Sequence, residues 1–179
     1  ASFVSALKGI WADSWGPRLE YILYASIAAL LDCKNVTLLG VQRMLVDPGY
    51  RAWVVRQVED PMVRFFWEHE FASYDKKFLQ EAIAPIQNKV GHLLLSPTIR
   101  NIFGQVTKSF DIDFMMNDGR IFIASLSKGA IGGDSAHLLG ALIVSEFAHA
   151  ALRREALPEA ERRDFNLYID EFQNFTTSA

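Results

Sequence analysis

Asn117-Asp118-Gly119-Arg120-Ile121-Phe122-Ile123-Ala124-Ser125-Leu126 is the stretch on whose reading the fold turns. Asp118-Gly119 is a turn dipeptide, and the short, β-branched, apolar run behind it reads as a buried strand. A glycine-rich loop follows, Lys128-Gly129-Ala130-Ile131-Gly132-Gly133, and Asp134 then stands as the cap of a long helix to about residue 154. Leu138, Leu142, Ser145 and His149 recur along that helix at the spacing of one face. A charged stretch to Asp164 leads into a second apolar run, Phe165-Asn166-Leu167-Tyr168-Ile169, which ends in Asp170-Glu171. Strand, helix, strand is a βαβ unit, so residues 120–126 and 167–170 are expected as adjacent parallel strands joined by a right-handed crossover. The fold class expected is therefore α/β. Parallel sheets are covered on both faces, so two such strands are expected to leave an exposed edge and an apolar patch for further strands outside these residues.

Working toward the N-terminus, proline falls repeatedly after a capping-type residue: Gly16-Pro17, Asp47-Pro48, Asp60-Pro61 and Ser96-Pro97. Proline lacks an N–H and has φ preset for the first helical position, so each pair marks a helix start. The expected helices run from 17 to about 31, 48 to about 58, 61 to about 74, 75 to about 95 and 97 to about 103. Pro85 is expected to bend or split the fourth of these. Residues 1–119 thus read as a mostly helical domain and 120–179 as a separate α/β part. Trp53, Phe65, Phe66, Trp67, Phe71 and Tyr74 have helical spacing and are read mainly as packing inside the helical part, with a base-stacking platform as the lesser alternative.

With 179 residues, the chain has room for one compact domain, or one with a small annex. Half the residues are hydrophobic (50%) and 22% are charged, which suits a packed core and excludes disorder on composition. The single Cys33 excludes an internal disulfide framework and a cysteine-based zinc site, and points to a reducing, cytoplasmic compartment. The apolar stretches around 21–31 and 138–144 fall short of the roughly 20 residues of a membrane span, so no membrane contact is expected. Ala1-Ser2-Phe3-Val4 is not the start of a signal peptide, and the absent Met with the ending Thr177-Ser178-Ala179 reads as a piece of something longer. The net charge of −3, with no Lys/Arg excess on either side of Gly119, excludes a generic basic nucleic-acid surface.

The richest chemical signal is Leu167-Tyr168-Ile169-Asp170-Glu171. In a Walker B arrangement the first carboxylate joins the shell of a Mg²⁺ on nucleotide phosphates, and the second orients the attacking water. The alternative is a strand leaving the core into a charged loop. No Walker A run accompanies it: Gly104-Gln105-Val106-Thr107-Lys108-Ser109 lacks the glycine before the lysine and follows no strand. Lys128, next to the glycine-rich loop, reads either as a solvated lysine or as a group near the nucleotide or a neighbouring subunit. Glu146 and His149 stand as one Glu-x-x-His pair, where a di-iron bundle needs two, and His69, His92, His137 and His149 are read as surface or packing residues. Arg153-Arg154 and Arg162-Arg163, interleaved with Glu155, Glu159 and Glu161, read as a solvated face.

Several longer runs resemble a known family. Trp15-Gly16-Pro17-Arg18-Leu19-Glu20-Tyr21-Ile22-Leu23, Glu81-Ala82-Ile83-Ala84-Pro85-Ile86-Gln87-Asn88-Lys89-Val90-Gly91, Arg100-Asn101-Ile102-Phe103-Gly104-Gln105, Ser125-Leu126-Ser127-Lys128-Gly129 and Tyr168-Ile169-Asp170-Glu171-Phe172-Gln173-Asn174-Phe175 are similar to the HerA/FtsK superfamily of P-loop ATPases. The likeness is to bacterial coupling proteins of the TraG/TraD type and to the helicase HerA central domain. The resemblance implies that residues 1–119 are a helical insertion and 120–179 part of a RecA-like core. It implies ATP and Mg²⁺ as cofactors, Asp170 as metal and nucleotide ligand, Glu171 as catalytic base and Lys128 on the nucleotide side. It further implies a DNA-translocating ring, a homo-hexamer with relaxase or secretion-system partners, at the cytoplasmic face of the inner membrane. Walker A, sensor and arginine finger would lie outside these residues, so the chain by itself is expected to be inactive.

Overall fold

The computed structural model describes residues 2–107 and 110–174, and among these every regular element is helical. They are α1 (Ser2–Ile10), α2 (Pro17–Leu31), α3 (Gly40–Val46), α4 (Pro48–Val55), α5 (Pro61–Phe65), α6 (Lys76–Leu95), α7 (Pro97–Phe103), α8 (Ile112–Asp118), α9 (Lys128–Ile131) and α10 (Gly133–Arg153), with short 3₁₀ turns between. The chain packs as two compact units, Asp13–Val106 and Ala1–Ala12 with Thr107–Ala179. The division does not fall at 119: α1 and α8 belong with α10, whose apolar surface they cover.

In the unit Asp13–Val106, local chemistry sets the helix starts. Pro occupies the first turn of α2, α4, α5 and α7. Asp47 accepts from the Tyr50 amide at 2.9 Å, Asp60 from Met62 at 2.7 Å, and Asp75 from Lys77 and Phe78 at 2.9 and 3.0 Å. These carboxylates satisfy first-turn donors that the helix leaves unpaired. α2 lies at the centre against α3, α4, α5 and α6, burying Ile22, Leu23 and Ala29. Its buried Ser26 donates to the Ile22 carbonyl at 2.8 Å, and Trp67 donates from Nε1 to the Ala25 carbonyl at 3.2 Å, so neither polar group is stranded. α6 runs unbroken through Pro85, burying Ala82, Ile83, Ile86, Val90 and Leu93. The missing proline N–H falls opposite Glu81, an exposed residue whose carbonyl water can serve, so the expected split does not occur.

Beyond α5 the chain widens into a π turn across Phe66–Glu70 and tightens to 3₁₀ across Phe71–Ser73. Residues i and i+5 share a face in π winding, and Phe66, Trp67 and Phe71 are all turned inward, each 3% exposed. The aromatic group is thus only half interior: Trp53 and Phe65 are 41% and 53% exposed.

In the other unit α10 is the axis. Leu138, Ala136 and Ala150 are fully buried, and Phe147 joins Ile112 and Met116 of α8 in one cluster. Phe122 meets Phe147 edge-on at a ring separation of 5.4 Å and Phe165 stacks on it at 5.3 Å, pinning the runs before and after the helix to it. The buried stripe shares Leu138 with the spacing read from the sequence but departs from it toward the C-terminal end, where His149 is exposed. Gly132, not Asp134, is the N-cap. With its continuation to Ala156, this helix is long and apolar enough by length and composition to cross a membrane, although the two apolar stretches read from the sequence were short. Of that window 44% is buried in the protein.

The α/β expectation is overturned. Residues 120–126 and 167–170 form no strand, and no ladder joins them among the described residues. Parallel strands pair when their backbones lie about 4.8 Å apart. Here the two runs line one cleft together with α10, and no backbone hydrogen bond joins them among the described residues. Residues 119–122 face 163–168 at one end and 124–129 face 167–171 at the other, so the runs advance in the same direction without pairing. A β ladder is a property of two segments at the right distance, and apolar, β-branched composition alone does not create one.

Candidate active site

The wider end of this cleft, about 570 Å³, has an apolar floor of Gly140, Ile143, Val144 and Phe147. One wall is Phe122, Ala124 and Leu126, every second residue of the first run, so the run keeps a strand-like alternation while its other residues, Ile121 and Ile123, point outward at 89% and 86% exposure. The opposite wall is Leu167, Tyr168 and Ile169, of which Tyr168 is 89% exposed. The polar end is built by Ser127, Lys128, Asp170 and Glu171.

All three residues singled out for chemistry thus meet at one end of one cleft. Lys128 Nζ lies 4.0 Å from Glu171 Oε2, with both side chains more than half exposed. In that setting an ion pair contributes about 0–1 kcal/mol, so its interest is position rather than stability. Lys128 is not at a strand end: the glycine-rich loop opens as the turn α9, and Lys128 is its first residue behind Ser127. Gly132 then takes φ +85 to redirect the chain into α10.

Asp170 and Glu171 form a turn. Glu171 has φ +51, a left-handed conformation that costs a residue with a Cβ about 1–2 kcal/mol. Its amide donates to Asp170 Oδ1 at 3.0 Å, and the other oxygen of Asp170 has no partner among the described residues. Non-glycine residues held in this region cluster at functional sites. No group of three or more His, Cys, Asp or Glu side chains among the described residues is placed to cage a metal. Asp170 and Glu171 are the donor type that Mg²⁺ on a nucleotide would need, since that ion takes one or two carboxylates and fills its octahedron with water and phosphate oxygens.

The rest of the inventory is inert by comparison. Glu146 and His149 face each other at 4.0 Å on the surface of α10, with no further ligand beside them among the described residues. Cys33 is buried among the carbonyls of Ala29 and Val54, and burial, then the charge of Asp32, push its thiol up, away from reactivity. Of the rejected phosphate-loop imitation, Gly104 caps α7, while Lys108 and Ser109 lie outside the described residues, as does Phe175. The sequence reading missed the floor of the cleft. Gly140, Ile143, Val144 and Phe147 recur at three- and four-residue spacing, one stripe round from the stripe it followed. Compared with known proteins, the chain matches no family model, no curated protein and no solved structure.

Proposed function

We propose that this chain is a segment of an ATP-driven, DNA-translocating motor of the conjugative coupling or HerA-like kind, with Asp170 as the carboxylate for Mg²⁺–nucleotide and Glu171 as the base for the attacking water. The observation that carries the reading is the meeting of Lys128, Asp170 and Glu171 at one end of the cleft over α10, from two runs far apart in the chain. Bound Mg²⁺ supplies charge neutralisation on the phosphates. Asp170 offers the carboxylate oxygen that the Glu171 amide does not engage. Glu171, held by its own backbone turn, offers a carboxylate to a water on the cleft side, and Lys128 adds a positive charge where phosphate charge develops. Two acids on adjacent residues with one lysine beside them is a sparse site, and the phosphate cradle would come from residues other than these. With a net charge of −3, DNA contact and the proposed hexameric ring belong to the whole protein rather than to a basic patch on this segment.

A second reading draws on the unit Asp13–Val106, a self-contained helical body whose Tyr21, Tyr24 and Phe65 are 49%, 55% and 53% exposed. Such a body serves as a non-catalytic recognition module that docks relaxase, DNA or protein substrate onto a motor.

The test is made in the full-length protein. Glu171→Gln keeps the shape and loses the charge, so nucleotide binding should stay near wild type while turnover stops. Asp170→Asn should weaken Mg²⁺–nucleotide binding itself. The 179-residue chain alone should not hydrolyse ATP. Wild-type binding and hydrolysis by both variants would remove the catalytic reading and leave the recognition module, which a binding assay of residues 13–106 with purified relaxase then addresses.

A further inference from the structure

We draw no further inference here: the strongest candidate, the apolar trough between residues 120–127 and 162–169 over the outer face of α10, carries nothing because nothing in the structure shows what covers it.

Discussion

Gly119 is a residue at which the backbone has little choice. It ends α8 at φ +68, and the guanidinium of Arg163 fills the space a Cβ would need while donating to the Asp118 carbonyl at 3.1 Å. Gly119→Ala should therefore cost about 1–2 kcal/mol for the left-handed backbone, with a further increment for displacing Arg163. Urea unfolding measures it, and a variant as stable as wild type would show that the turn tolerates a side chain. A second residue-scale device is Glu70, whose two carboxylate oxygens accept from the hydroxyls of Tyr21 and Tyr74, each at 3.0 Å. Burial first, then the hydrogen bond and charge of Glu70, push the Tyr74 phenol up to about 12. Its folded value exceeds the unfolded value of about 10, so the stability it contributes is complete below pH ~10 and lost as pH rises through about 12. Stability should fall across that window, and Tyr74→Phe should flatten part of the fall. A Tyr74 that ionises near 10 in an absorbance titration would sink this account. Asp170 and Glu171 were legible at this scale because two acids after an apolar run are a local pattern, whereas the positive φ of Glu171 was not, since nothing in its side chain favours that conformation.

At the scale of elements, the helices between 13 and 106 follow from signals a few residues long: a capping oxygen, a proline in the first turn, an apolar face recurring every three or four residues. α2 and α7 match the expected limits for that reason. α5 departs from its expected course to 74, because tertiary packing rewards bringing Phe66, Trp67 and Phe71 to one side and the winding changes to do so. The runs over α10 are the opposite case. Their composition suits strands, but their amides have no ladder partner, so hydrogen exchange should be fast across 121–127 and 164–169 while the α10 amides from about Leu138 to Ala150 exchange slowly. Strong protection of the runs in the isolated chain would mean that they pair after all and would overturn the helical assignment of this unit.

For the whole molecule, the consequential feature is the division into two units. The unit Asp13–Val106 holds its own core, with Ile22, Met44, Leu45 and Ile86 at 0–1% exposure, and it carries its own caps. Residues 13–106 expressed alone should unfold in one cooperative transition, and Ile86→Ala should lower its stability by about 2–5 kcal/mol. A non-cooperative melt or a molten far-UV spectrum without fixed packing would show that the unit depends on the rest of the chain. A division at 119 looked natural from the sequence because composition changes there, yet α1, at the far end of the chain, packs on α10. By itself the sequence determined where the proline- and aspartate-capped helices between 17 and 103 begin and which acids stand together, since each depends on neighbours within a turn or two. The tertiary structure alone decided that residues 120–126 and 167–170 are the walls of a cleft rather than a sheet, and that Lys128 faces Glu171 across it. Both are matters of distance between segments far apart in the chain, and a ladder or an ion pair forms only where packing brings the two sides within reach.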